Sequence, residues 1–198
     1  MSNPVSHAAE LPSPLGGDSL ATALLLAAGR GERMRPLTDA HPKPLLSVRG
    51  KPLMQWAMEG LQRGGVTQLV INTAWLGEQI PQRFGAQFSL PENADTANAS
   101  NLAKQAPMQL HYSQEGVDFG GALETAGGIV RALPQLSDVF WVAAGDVFAP
   151  EFAFSEQAYA QFRNSSKLAH IWLVPNPAHN PLGDFGLSTD GLALNLPK

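Results

Sequence analysis

Apolar residues fall along this chain in two rhythms. Short runs at 22–28, 68–73, 109–113, 139–144 and 168–174 are aliphatic or β-branched, as strands buried on both faces are. Between them, 52–63, 76–84, 124–133 and 155–164 repeat their apolar positions at helical spacing. Pro52 opens its helix where a missing N–H costs little, and Gly64-Gly65 closes it. Alternating strands and helices predict an α/β fold: a Rossmann-like three-layer sandwich around a mostly parallel mixed sheet. Near the end, 185–188 and 192–196 flank Thr189-Asp190-Gly191 and read as a hairpin closed by an Asp-Gly turn. The predicted domain runs from 21 to 198. It is preceded by a Pro/Ser/Gly-rich flexible leader (1–20) and interrupted at about 90–107 by a polar, Ala/Asn-rich insertion without periodicity.

The first strand empties into Leu26-Ala27-Ala28-Gly29-Arg30-Gly31-Glu32-Arg33-Met34-Arg35-Pro36-Leu37-Thr38, followed by Pro42-Lys43-Pro44-Leu45. Glycines after a buried strand let backbone N–H groups approach an anion, and arginine offers a planar fork to phosphate oxygens. The run therefore reads as a triphosphate-binding loop. A bare Gly-x-Gly would more often be an ordinary strand–helix turn beside a solvated basic surface. The placing of Arg33, Pro36 and Pro-Lys-Pro argues against that. A Walker loop is excluded, because no Gly-Lys-Ser/Thr follows the last glycine. A dinucleotide fingerprint is excluded as well: Met34 occupies the third glycine position, and Asn72-Thr73 stand where an acidic residue would close the second strand.

Ligands of open α/β sheets bind beyond the carboxyl ends of the strands, where the 29–33 loop, 72–77 and Gly145-Asp146 all fall. Asp146, emerging from the apolar run 139–144, is a hard oxygen ligand suited to Mg²⁺; a turn cap ahead of Pro150 is its plainer role. Leu123-Glu124-Thr125-Ala126-Gly127-Gly128 could run along a nucleobase or simply open a helix. Trp75 divides evenly between sugar contact and core packing.

The run from Leu26 to Leu45 resembles the signature of the sugar-phosphate nucleotidyltransferases, L-A-A-G-x-G-x-R-[LM]-x-P-L-T with P-K-P-L, at every fixed position. Val70-Ile71-Asn72-Thr73-Ala74-Trp75-Leu76-Gly77, 123–129, Pro175-Asn176-Pro177 and Gly183-Asp184-Phe185 extend the likeness. It is strongest to the branch that joins UTP to N-acetylmuramate α-1-phosphate. The resemblance implies a Mg²⁺-dependent uridylyltransferase of cell-wall sugar recycling, with a nucleoside triphosphate (UTP) and a sugar 1-phosphate as partners. It implies catalytic roles for Arg33, Lys43 and Asp146, with Asp146 also holding the metal. Leu26, Ala28, Gly29, Gly31, Glu32, Arg33, Leu123, Glu124, Thr125 and Gly127 would bind nucleotide. Lys43, Asn72, Trp75, Glu124, Asp184 and Phe185 would bind the sugar phosphate.

The chain departs from that family where Ala144-Gly145-Asp146 replaces the usual Asn-Gly-Asp, and where no late Trp-x-Asp-Val-Gly-Thr stretch brings a second metal-binding aspartate. The expectation is a domain incomplete at its C-terminus. Two alternatives stay open: another sugar-1-phosphate nucleotidyltransferase, such as a mannose-1-phosphate guanylyltransferase, or a non-catalytic nucleotide-binding relative.

Composition narrows the field further. With a net charge of −4 and only 15% charged residues, the chain lacks the basic face that sequence-independent nucleic-acid binding needs. Without cysteine there are no disulfides or thiolate metal sites, which fits a cytoplasmic setting. No apolar run reaches membrane-spanning length, and residues 1–18 lack the basic and apolar regions of a secretion signal. The five histidines show no metal-ligand spacing, and there is no Gly-x-Ser-x-Gly elbow or Cys–His pair for covalent catalysis.

Overall fold

The computed structural model describes residues 21–90, 106–178 and 180–195. The expected leader and residues 91–105 of the expected insertion lie outside these. The described residues form two units, one reaching Glu156 and one beginning at Gln157.

In the first unit, five strands form one sheet: β1 (Thr22–Leu26), β4 (Gln68–Thr73), β5 (Gln87–Phe88), β6 (Met108–Gln114) and β7 (Phe140–Ala144), in the order β5-β6-β4-β1-β7. Four are parallel, and β5 joins antiparallel to β6, giving the mostly parallel mixed sheet expected. The register sets Leu26 beside both Asn72 and Ala144, and Asn72 beside Ser113. Four chain segments thus leave the sheet at one edge, side by side. A small hairpin, β2 (Ser47–Val48) with β3 (Lys51–Pro52), carries the chain from the glycine loop into the first long helix.

The central strands are buried on both faces, which explains their unbroken apolar runs. Ala23, Leu24, Leu25, Leu69, Val70 and Ile71 have no solvent exposure. Counting the short helix α1 (Leu37–Ala40), the first long helix is α2 (Leu53–Arg63). It buries Met54, Met58 and Leu61 completely and lies against β7. Each such side chain contributes about 1.5–3 kcal/mol relative to exposure. On its outer side, Glu59 accepts hydrogen bonds from Lys51 Nζ (2.6 Å) and Gln55 Nε2 (3.0 Å), tying the hairpin to the helix. After α3 (Gln79–Phe84) and the short α4 (Glu115–Phe119) comes α5 (Glu124–Ala132). Its Ile129 and Ala132 pack with Leu24 and Val70. The result is a helix–sheet–helix sandwich.

Several expected elements are shorter than the pattern implied. The first strand ends at Leu26, not residue 28, because Ala27 and Ala28 already belong to the turn. The helix expected over 76–84 starts at Gln79; a hydrogen-bonded turn from Ala74 O to Gly77 N precedes it.

The second unit contains most of α6 (Glu156–Arg163) and the expected hairpin, β8 (Gly186–Leu187) with β9 (Ala193–Leu194). Ser188 Oγ and Ser188 O accept hydrogen bonds from Leu192 N and Gly191 N, which closes the Asp-Gly turn. The strand expected over 168–174 is a correction: these residues take no strand assignment. Their apolar side chains stand out, with Leu168 fully exposed and Val174 at 78%. Among the described residues, no helix is long and apolar enough to cross a membrane.

Candidate functional site

The edge where β1, β4, β6 and β7 end opens into a cavity of about 800 Å³. Its floor is the loop from Leu26 to Met34. Beyond β4 it is lined by Asn72, Ala74 and Trp75, beyond α4 by 120–122, Glu124 and Thr125, and beside the loop by Lys43 and Asp146.

Local geometry explains the loop's sequence. Gly31 has φ +67°, in the left-handed region that favours glycine. A Cβ there would lie 3.0 Å from Lys43 Cβ and 3.1 Å from Thr38 Cγ2. Thr38 Oγ1 donates to Gly31 O at 2.9 Å and is itself buried, which fastens the loop from beneath. A short 3₁₀ turn at Glu32–Met34 follows, and Arg33 projects from it, exposed at the cavity wall. A second 3₁₀ turn, Lys43–Leu45, sets Lys43 against Gly31 of the loop. Lys43 Nζ donates to Asp146 Oδ2 at 2.7 Å. Asp146 owes its place to Gly145, whose N–H donates to Leu26 O at 2.8 Å; a Cβ on Gly145 would lie 3.0 Å from that oxygen.

The loop also brings in a residue that the motif left undefined. The Arg30 guanidinium carbon lies over the Trp75 ring, 3.2 Å from its centroid. Trp75 Nε1 donates to Thr38 O at 3.0 Å. Trp75 therefore lines the cavity with one face covered by Arg30. Arg30 Nη1 is buried without a hydrogen-bond partner, and the nearest carboxylate, Glu32, stands at 3.9 Å. The Arg30 guanidinium thus lines the cavity with its Nη1 donor unspent.

The structure gathers Leu26, Ala28, Gly29, Gly31, Glu32, Arg33, Lys43, Asn72, Trp75, Glu124, Thr125 and Asp146 around this one cavity. Leu123 and Gly127 do not line it. A Cβ on Gly127 would meet Leu123 Cβ at 2.8 Å, so the two residues pack on each other as the helix begins. Asp184 and Phe185 belong to the second unit, where Asp184 Oδ1 accepts from Asn180 Nδ2 at 3.3 Å and Phe185 is half exposed. Glu124 enters α5 with φ +59°, a left-handed conformation that costs a non-glycine residue roughly 1–2 kcal/mol. Such strain concentrates at ligand sites.

Sequence reasoning missed the Gly120-Gly121-Ala122 wall and the fully buried Glu115. Asn72, expected to face a sugar, spends both ends of its amide within the protein. Its Oδ1 accepts from Ala27 N at 2.7 Å, and its Nδ2 donates to Glu115 Oε1 at 2.9 Å. Only the closeness of Asn72 to the loop in the strand order could have hinted at this.

Among the described residues, no three His, Cys, Asp or Glu side chains cluster as a metal cage. Mg²⁺ needs no such cage when it binds with phosphates: one or two carboxylates suffice, and substrate oxygens and water complete the octahedron. Asp146, a hard oxygen donor on the cavity wall, fits that role.

Comparison with known proteins identifies the family. Residues 22–189 match the nucleotidyl transferase family. The chain is 47% identical over 174 residues to the N-acetylmuramate alpha-1-phosphate uridylyltransferase of Neisseria meningitidis, which covers 85% of this chain and 65% of that protein. It is 34% identical over 134 residues to the UTP–glucose-1-phosphate uridylyltransferase of Synechocystis, covering 63% of this chain and 30% of the other. The chain thus spans less than two thirds of the length of these relatives. A UDP-glucose pyrophosphorylase from Acinetobacter baumannii shares the fold, with a TM-score of 0.54 at 14% identity over 74% of this chain and 54% of that one. The chain belongs to the nucleotidyl transferase family.

Proposed function

We propose that the chain is the nucleotide-binding part of a uridylyltransferase that joins UTP to N-acetylmuramate α-1-phosphate, giving UDP-N-acetylmuramate and pyrophosphate. One observation carries this reading: the glycine loop 29–33, Lys43 and Asp146 converge on one cavity at the carboxyl edge of a parallel sheet. The 47% identity over 85% of the chain supports the choice of base and sugar.

In the reaction, an oxygen of the sugar 1-phosphate forms a bond to the α-phosphorus of UTP. The bond from that phosphorus to the bridging α–β oxygen breaks, and pyrophosphate leaves with the electron pair. Both reactants are polyanions, so the protein's work is to offset their repulsion and hold attacker and leaving group in line. Leu26, Ala28, Gly29 and Gly31 offer backbone to the triphosphate. Arg33 grips the β- and γ-phosphates, with Glu32 beside it. Lys43 reaches the α-phosphate and the incoming sugar phosphate. Asp146 would hold Mg²⁺, which supplies positive charge to phosphate oxygens. Leu123, Glu124, Thr125 and Gly127 form the base-side segment, while Trp75 and Glu124 belong to the sugar side. The setting would be cytoplasmic peptidoglycan recycling.

The test is pyrophosphate release by the chain with Mg²⁺, each of the four nucleoside triphosphates in turn, and either N-acetylmuramate α-1-phosphate or mannose 1-phosphate. The reading expects release confined to UTP with the muramate phosphate. Release with GTP and mannose 1-phosphate instead would replace it.

A further inference from the structure

Three consecutive hydrogen bonds cross the carboxyl edge of the sheet. The Ala27 N–H, at the root of the phosphate loop, donates to Asn72 Oδ1 at 2.7 Å. Asn72 Nδ2, at the end of β4, donates to Glu115 Oε1 at 2.9 Å. The Leu123 N–H, at the root of the base-side segment, donates to Glu115 Oε2 at 2.7 Å. Glu115 has no solvent exposure and Asn72 only 3%, so the bonds of Asn72 to Ala27 and to Glu115 are buried away from bulk water. A carboxylate accepts at both oxygens and an amide accepts at one end and donates at the other. The chain of polarity therefore runs without conflict from one backbone N–H to the other.

The surroundings hold this line rigidly. A Cβ on Gly128 would lie 2.7 Å from Asn72 Nδ2 and 2.9 Å from Glu115 Oε1, so α5 can cover the pair only with glycine there. A Cβ on Gly116 would lie 2.7 Å from Ala74 O, which seats α4 directly against the exit of β4. Arg131 ties α5 to α4 and β6 by pairing with Asp118 and donating to Ser113 Oγ at 3.1 Å.

We propose that Asn72 and Glu115 are positioning residues: a buried relay that fixes the base-side segment relative to the phosphate loop, so that seating of the base sets the place of the triphosphate. The proposal rests on the nucleotide site assigned above. Neither side chain need touch substrate. Their effect passes through the Ala27 and Leu123 amides, which carry the two walls of the cavity.

The polarity of the relay supplies its own test. Glu115→Gln keeps the shape but turns one acceptor into a donor, which then faces either Asn72 Nδ2 or the Leu123 N–H. Asn72→Asp places two carboxylates against each other. Combined, the two substitutions restore every bond. The new aspartate accepts from Ala27 N and from the glutamine amide, while the glutamine oxygen accepts from Leu123 N.

The experiment measures UTP affinity by titration calorimetry, and amide exchange at Ala27 and Leu123, in the wild-type chain, the two single variants and the double variant. The relay predicts that Glu115→Gln weakens UTP binding about tenfold or more, the effect of leaving a buried polar group unpaired. It predicts faster exchange at both amides, although the Ala27 N–H is bonded to Asn72 and reaches Glu115 only through it. The double variant should recover both affinity and protection. Wild-type affinity in Glu115→Gln, unchanged Ala27 exchange, or a double variant no better than its parents would overturn the proposal. A wild-type chain that binds no triphosphate would refute the nucleotide site instead. The amide exchange would still decide whether the relay couples the two walls.

Discussion

Lys43 Nζ donates to Asp146 Oδ2 at 2.7 Å, so the cation proposed to meet the α-phosphate and the carboxylate proposed to hold Mg²⁺ are paired with each other. Both are partly exposed, at 25% and 41%. Such a pair adds only about 0.2–1 kcal/mol to stability. Its consequence is for binding: an arriving nucleotide must draw Lys43 away from its partner.

Asp146→Asn should therefore raise UTP affinity in the absence of divalent cations, by about fivefold for roughly 1 kcal/mol of lost competition. It should also abolish Mg²⁺-dependent pyrophosphate release. Calorimetric titration in chelator checks the first effect and a turnover assay the second. Metal-free affinity that is unchanged or lower would mean that the ion pair does not restrain Lys43.

Arg33 projects, exposed, from the 3₁₀ turn after the glycine loop. Arg33→Ala should lower turnover by roughly 10²–10³-fold, the size expected for one preorganised donor to developing charge. The melting temperature should hardly move, since the side chain is not part of the core. Near-normal turnover would remove Arg33 from the mechanism.

Glu124 tests whether the site stores backbone strain. At φ +59° and with an exposed side chain, the residue gains little from packing that would offset its conformation. Glu124→Gly should be more stable than Glu124→Ala by about 1 kcal/mol, since only glycine enters the left-handed region freely. Denaturant midpoints of the two variants decide it. Equal midpoints, or a more stable alanine variant, would show that the helix entry carries no strain.

The sequence was most legible where burial is symmetrical. β4 was expected at the residues it occupies, because Gln68–Thr73 is enclosed on both faces and its apolar run has no ambiguity of phase. Residues 168–174 show the limit of that logic. An apolar run announces a strand only if a neighbour is there to pair with, and pairing is not local information. In the site, the glycines, Arg33 and Lys43 were legible as neighbours because they follow closely on one strand end, and the structure gathers them around one cavity. Glu115 and Arg30 were not. Glu115 acts through three-dimensional closeness to Asn72, 43 positions away, and Arg30 gains its role from Trp75 beneath it.

Burial pushes the Tyr112 phenol from the usual 10.0 up to about 12. Its O–H donates to Gly85 O at 2.6 Å, joining β6 to the turn after α3. Because the folded value lies above the unfolded one, the unfolded chain loses this proton first. The stabilisation is complete below pH 10 and is lost as pH rises from 10 toward 12. Stability should fall across that window, and Tyr112→Phe should flatten the fall. A Tyr112→Phe profile parallel to wild type would show that the phenol titrates normally.

The central claim is that the cavity at the carboxyl edge of the sheet holds a nucleoside triphosphate between the glycine loop and the base-side segment. A crystal structure of the chain with UTP and Mg²⁺ tests this most directly. The account predicts the triphosphate on the backbone of residues 29–33 beside Arg33, the base along 120–125, and Lys43 moved off Asp146 toward the α-phosphate. A nucleotide bound elsewhere, or a base and triphosphate on the opposite walls, would contradict it.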